Sequence, residues 1–297
     1  MRTPKAAVQV GVMVTSLVWM VTGGAVARAS DHSDIPTGPA GARPDANLTD
    51  LHAFVAGSNL VLSLSTNQAI PASVSSYVWP TDVTFELNID VDAAVAASDP
   101  FGDGGTILDP DRIREDLSFR IRFRPDGSIQ LHRIVHGAVQ GDPQVVSFFA
   151  GLRDDPFIRG PRIGRNVAAI VLEVPLHTVL SGQSTLLLWA TSKVNEFEGP
   201  FQDLAGRSLR SMFPEQNVLD SLHPKQHFKK TGLRPDVMIF DTALPAAYPN
   251  GRALGDDVAD LACALSGECR VLASDTPFPS ANDVPFLSSF PYLAPPQ

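Results

Sequence analysis

Between positions 31 and 52 the chain sets carboxylates, an amide and imidazoles at short intervals: Asp31, His32, Asp34, Asp45, Asn47, Asp50 and His52. Oxygen donors from a flexible segment suit a hard cation such as Ca2+, which takes six to eight of them. The spacing is not that of an EF-hand, and Asn47 and Asp50 are equally fitted to cap turns ahead of the first strand. A second acidic group is Asp90 and Asp92, with Asn88 before them and Asp99, Asp103, Asp109 and Asp111 in the Gly-rich stretch that follows. It begins like a calcium loop but lacks the next Asp-Gly and a distal Glu in register, so a solvated loop competes with a cation site. Arg153-Asp154-Asp155-Pro156 puts a guanidinium beside two carboxylates. That set serves acid–base chemistry if burial raises one carboxyl, and strand bridging or turn capping if it does not.

Other combinations carry less. His223 and His227 are four apart, as zinc ligands on one helix face are, but Pro224 between them reads as a loop and no Glu holds the metalloprotease position. His132 and His136 fall in an expected strand, where such a spacing separates side chains by roughly 13 Å. No Gly-x-Ser-x-Gly elbow is present, and Gly102-Asp103-Gly104-Gly105 lacks the Lys-Ser/Thr of a phosphate loop.

The amino terminus points to a compartment. Arg2 and Lys5 precede an apolar run from about Ala6 to Met20, followed by Gly23-Gly24 and Ala27-Arg28-Ala29. These are the parts of a secretory signal peptide over 1–29, cut near Ala29 and delivering a secreted or periplasmic protein. Gln9, Thr15 and Ser16 interrupt the run, and a span needs about 20 apolar residues, so no stable membrane span is expected after cleavage. Cleavage that leaves Ser30 first would make His32 the third residue. An amino terminus, two backbone amides and an imidazole then form the square-planar nitrogen site that suits Cu2+ or Ni2+. In an oxidising compartment Cys263 and Cys269 can close a small disulfide loop if Gly267 turns the chain; otherwise they remain two thiols.

The full chain has 23 Lys and Arg against 32 Asp and Glu, a net charge of −9. The segment before Ser30 holds three of the basic residues and no acidic one, so cleavage makes the remainder more acidic. Such a balance argues against nucleic acid, whose binding needs Lys/Arg patches. Nothing in the composition names a protein or small-molecule partner.

The elements that must position these groups are mostly strands. Leu60, Leu62 and Leu64 alternate with Val61, Ser63 and Ser65; Val83, Phe85, Leu87 and Ile89 alternate with polar residues; Leu117, Phe119, Ile121 and Phe123 do likewise. Period two marks half-buried antiparallel strands. Glu86 and Asp90 on one strand complement Arg120 and Arg122 on another, as neighbours would require. Pro125-Asp126-Gly127-Ser128 is a turn signal leading to a return at Ile129 and Leu131. Val167–Val174 and Thr185–Thr191 read as central strands, Leu204–Leu222 as one or two short helices, and Asp256–Leu265 as a helix. Residues 30–46 read as an extended arm and 276–297, rich in Pro and Phe, as a closing strap. The expected architecture is one mainly β domain over 30–297, an antiparallel β-sandwich with a few short helices.

His32-Ser33-Asp34-Ile35-Pro36 followed by Asn47-Leu48-Thr49-Asp50-Leu51-His52-Ala53-Phe54 resembles the opening of a bacterial family of secreted proteins catalogued as domain of unknown function 4331. Blocks at 148–157, 250–260 and 282–293 resemble that family too. His52 departs from the Tyr common there, and the middle segment is short. The resemblance implies a secreted, β-rich fold and no particular chemistry. The expected function is a binding or structural module holding a divalent cation through His32, Asp34, Asn47, Asp50, His52, Asp90 and Asp92. The alternative is a metal-dependent, hydrolase-like enzyme using Asp154, Asp155 and Arg153 with His32 and His52.

Overall fold

Period-two alternation becomes strand wherever it is strongest. The computed structural model describes residues 43–96, 104–156, 164–195, 203–209, 214–258, 260–261 and 281–297. The signal segment, His32, Asp34, Cys263 and Cys269 lie outside these. One antiparallel sheet has the order β1-β2-β10-β9, with β1 Leu48–Ala56, β2 Asn59–Pro71, β9 Ser147–Asp154 and β10 Arg165–Pro175. The second runs β12-β11-β3-β6-β7-β8, from β3 Val83–Asp90, β6 Leu117–Phe123, β7 Ile129–Val135, β8 Ala138–Val139, β11 Thr185–Val194 and β12 Asp203–Ala205; β13, Met238–Asp241, also pairs with β11. A small hairpin joins β4, Val95–Ala96, to β5, Thr106–Ile107. The protein is a mainly β, antiparallel sandwich.

The inward residues form one core: Leu62, Leu64, Ile170 and Leu172 from the first sheet meet Phe85, Leu87, Phe119, Ile121 and Leu188 from the second. Apolar area removed from water on this scale is the main stabilising term for such a domain. Glu86 and Arg120 are cross-strand partners and form an ion pair, as their pattern predicts. Asp90 has no such partner in Arg122, because β6 ends its pairing at Ile89; Arg122 Nε donates instead to Thr84 Oγ1 at 2.8 Å.

One open side of the sandwich is stitched shut. Gly251 N–H donates to Ile239 O of the second sheet at 2.8 Å, and Arg252 exchanges two backbone hydrogen bonds with Ala53 on the edge of the first. Gly251 has φ +65°, and a Cβ there would sit 2.7 Å from Phe240 Cδ2, so only glycine fits. The expected strap is present over 281–297. Phe286, Phe290, Tyr292 and Leu293 pack with Phe54, Val61, Phe149, Ala169 and Val171 on the outer face of the first sheet.

Several local expectations are corrected. From Leu48 to Phe54 the block is itself strand, so Asp50 sits inside β1 rather than capping a turn before the first strand, while Asn47 lies just ahead of it at the end of the 3-10 turn Pro44–Ala46; a bulge between Leu48 and Asp50 obscures the alternation. Leu204 lies in β12, and Pro214–Ser221 forms a 3-10 helix. Pro224 begins helix α1, Pro224–Thr231, because proline lacks only an N–H that the first turn leaves unused; His223 caps it by accepting from Lys225 N–H. His136 is past the end of β7, in a turn with φ +46°. Asp256 and Asp257 precede the helical residues 258, 260 and 261; the remainder of that expected helix, at 259 and beyond 261, lies outside the described residues. Among the described residues no helix is long and apolar enough to cross a membrane.

Candidate functional site

Where β3 leaves the second sheet and β6 enters it, antiparallel pairing brings Asp116 beside Asp90 and Asp92. The ligand oxygens of the three lie within 4.8 Å of one another, and this is the group of three metal-competent side chains among the described residues. Backbone amides fix the carboxylates. Asp90 accepts from Asp92 N–H and Arg114 N–H, both at 3.1 Å, and Asp116 accepts from Val91 N–H at 3.0 Å. Asp90 and Asp116 are buried while Asp92 is exposed. Burial pushes the Asp90 carboxyl above its ordinary range, and the charges of Asp116 and Asp92 add to this.

Arg114 is the cation already present. Its Nε donates to Asp116 at 2.7 Å and its Nη2 to Asp92 at 2.5 Å. The triad opens on a polar recess of about 380 Å³ that Asp92, Arg114, Asp116, Arg133 and His136 help to line. Chemically, this is an all-oxygen donor set beside solvent, suited to a hard cation. Asp90 and Asp92 were legible as a calcium-like start. Asp116 carries no such local motif; its place directly before β6, opposite the end of β3, is the signal that the sequence offers for it.

The remaining predicted residues fall elsewhere. Asn47, Asp50 and His52 are buried on β1 or at its start. Asp50 Oδ1 accepts from Arg252 Nη1 at 3.0 Å. His52 is paired across the sheet with Ser63, and among the described residues neither its ring nitrogens nor the hydroxyls of Ser63 and Ser65 find a hydrogen-bond partner. Burial pushes the His52 imidazole down to about 3, so it is neutral at ordinary pH. Asp154 ends β9 and accepts from Asn282 Nδ2 and Gln297 Nε2, both at 2.6 Å; burial lifts its carboxyl to about 6 against those two hydrogen bonds. Asp155 is buried beside it. The Arg153 guanidinium lies 3.8 Å over the Phe149 ring and donates to Leu152 O. Asp154 thus ties down the strap, and it does not join His52 and Asp50 in a three-residue ligand group among the described residues.

The histidines near α1 are structural. His223 Nε2 meets Glu115 Oε1 at 2.8 Å. His227 uses both ring nitrogens, one accepting from Asp236 N–H at 3.0 Å and the other facing Leu222 O at 2.7 Å. Asp109 and Asp111 are exposed beside the 3-10 turn Pro110–Arg112; Asp99 and Asp103 lie outside the described residues. No family model matches this chain, and neither a curated protein nor a solved structure matches it.

Proposed function

We propose that this chain is a β-sandwich binding module that holds a divalent cation, Ca2+ by the chemistry of its donors, between Asp90, Asp92 and Asp116. The observation that carries this is a charge imbalance in a confined space. Three carboxylates lie within 4.8 Å of one another, and Arg114 supplies one positive charge against them. A divalent ion brings these charges to neutrality with Arg114 in place, and compensates two of the three carboxylates once Arg114 turns away. The spacing suits it, because ligands on opposite sides of a Ca2+ stand about 4.6–5.2 Å apart. Arg114 is half exposed, so its side chain can turn to solvent when the ion enters. Water in the recess completes the six to eight oxygens.

The amino-terminal pattern supports a secreted or periplasmic site of action, where calcium modules work with dissociation constants of about 10⁻⁴–10⁻³ M. The blocks that resemble the secreted family imply the same compartment.

Calorimetric titration of chelator-treated protein with CaCl2, with thermal unfolding in parallel, tests the proposal. We expect saturable binding and a raised unfolding temperature at about 10 mM Ca2+, since a ligand that binds only the folded state stabilises it by mass action. Asp92→Asn, at an exposed position, should weaken binding at least tenfold and leave the fold intact. Absence of heat and of any thermal shift in the parent protein would overturn the proposal.

A further inference from the structure

The ends of the two sheets are not closed alike. The free side of β1 is taken by Arg252, which exchanges two backbone hydrogen bonds with Ala53, and the second sheet ends in short strands, β8 of two residues and β12 of three. At the other end of the first sheet lies β9, eight residues long and paired with β10 in a register without a bulge. An edge of that length is ordinarily blunted by proline, lysine, a bulge or a covering segment, because its unpaired amides and carbonyls offer a template to another strand. The run Ser147-Phe148-Phe149-Ala150-Gly151-Leu152-Arg153-Asp154 has no proline and no lysine.

The ladder fixes which groups of β9 face out. Asp155 N–H donates to Arg165 O on β10, whereas Asp154 N–H turns away from β10 and donates to Ala294 O of the strap. Alternation along the strand turns the amides and carbonyls of Leu152, Ala150 and Phe148 to the same open side. Among the described residues no other segment takes a hydrogen bond from these three amides. Leu152 O accepts from Arg153 Nη1 at 3.0 Å, which leaves its second lone pair for a strand alongside. The side chains behind this edge are apolar. Leu152 is buried with Ile70 and Ala168, while Phe148 and Ala150 pack against the core and stay partly exposed, area that an added strand would cover.

We propose that β9 pairs antiparallel with β9 of a second copy of this chain, about a two-fold axis at Ala150, so that the first sheets of the two copies become one continuous sheet. That register uses every outward residue. Ala150 faces its own equivalent and Phe148 faces the equivalent of Leu152, each pair exchanging both N–H···O bonds. The side chains fit the same register. Phe149 faces Gly151, whose bare backbone leaves room for an aromatic ring; the Phe149 ring already lies beside its own Gly151, 3.1 Å from where a Cβ would stand. Arg153 faces Ser147, so no like charges oppose each other across the axis. This self-complementarity, which an isologous contact requires, favours a second copy over an unrelated strand. The edge belongs to the first sheet and does not depend on the cation proposal.

Sedimentation velocity of the full chain between about 1 and 100 μM, with amide hydrogen exchange read residue by residue over the same range, tests this. We expect a monomer–dimer equilibrium in which exchange of the Phe148, Ala150 and Leu152 amides slows at least tenfold at the higher concentration. Ala150→Pro removes a donor that the ladder with β10 does not use, so it should abolish the dimer and leave the circular dichroism of the folded chain unchanged. The exchange measurement needs only the parent chain, and it decides the matter even where that variant does not fold. A chain that stays monomeric at the higher concentration, a dimer whose three amides exchange as fast as the monomer's, or a folded Ala150→Pro variant that still dimerises would each overturn the proposal.

Discussion

Asp50 and Arg252 are 202 residues apart in the chain and 3.0 Å apart in space. Both side chains are buried, at 0 % and 4 % exposure. The same Arg252 closes the edge of the first sheet through its backbone bonds to Ala53. One residue therefore performs two fastening tasks, and the ion pair locks the register of the segment that links the sheets. Breaking a buried pair by removing one partner leaves an uncompensated charge, at a cost of about 3–5 kcal/mol. Asp50→Asn and Arg252→Met should each lower the unfolding free energy in urea by about 3 kcal/mol, and the double variant should lose less than the sum of the two. A loss below about 1 kcal/mol in either single variant would show that the pair is not a clamp.

His52 makes stability depend on acid. Its folded-state pKa of about 3 is below the unfolded value near 6.5, so the folded protein favours the neutral ring. That contribution is whole above pH 6.5 and is lost as pH falls through the window toward 3. By pH 5 the loss amounts to about 2 kcal/mol, at 1.36 kcal/mol for each unit. His52→Leu also removes two buried nitrogens that have no partner among the described residues, and desolvating such groups is itself costly. The variant should gain on the parent between pH 7 and pH 5, measured as the difference in denaturation midpoint. A difference that is flat across that range would mean that His52 is not the titrating group.

These two residues also mark the limit of what the sequence makes legible. Strands with clean alternation, such as Leu117–Phe123, and the Glu86–Arg120 pair were readable because both depend on local period and a single neighbour. The strand β1 was not. Its bulge breaks the period between Leu48 and Asp50, and its polar outward residues are covered by chain from 200 positions away. Pro224 reads as a breaker by composition and is a helix starter by position. Two of the three carboxylates of the acidic site, Asp90 and Asp92, are legible in the sequence, while Asp116 needs the pairing of β3 with β6 to be known. Pairing partners distant in sequence leave no local pattern, and that is where the residue-level expectations stopped.

Asp154 gives the strap a pH dependence opposite in sense to that of His52. Burial raises its carboxyl to about 6, above the ordinary 3.8, so the protonated form is favoured in the folded state. Stability from this group is whole below pH 3.8 and declines as pH rises through 6. Asp154→Asn cannot ionise, but its single carbonyl oxygen serves the amides of Asn282 and Gln297 less well. The variant should therefore trail the parent most at pH 4, with the gap narrowing toward pH 8. Thermal unfolding across that range measures it, and a gap independent of pH would rule out Asp154 as the group responsible.

The strap itself should be indispensable to solubility. Leu293 is fully buried, Tyr292 meets Phe54 edge-on at 5.5 Å, and the Tyr292 hydroxyl donates to Glu173 at 3.1 Å. Without residues 281–297, Phe54, Val61, Phe149, Ala169 and Val171 would lose the aromatic residues packed over them, leaving an apolar patch of the kind that drives association. Leu293→Ala should cost about 2–4 kcal/mol, the usual range for a buried leucine, while Tyr292→Phe, losing one hydrogen bond, should cost about 1 kcal/mol. A chain ending at residue 280 should bind a hydrophobic dye and elute as aggregate in size-exclusion chromatography. The ordering of the three variants is the sharper test, because a strap held by packing ranks truncation above Leu293→Ala and Leu293→Ala above Tyr292→Phe. A soluble, monomeric truncation with an unchanged unfolding temperature would show instead that the outer face of the first sheet is stable without its cover.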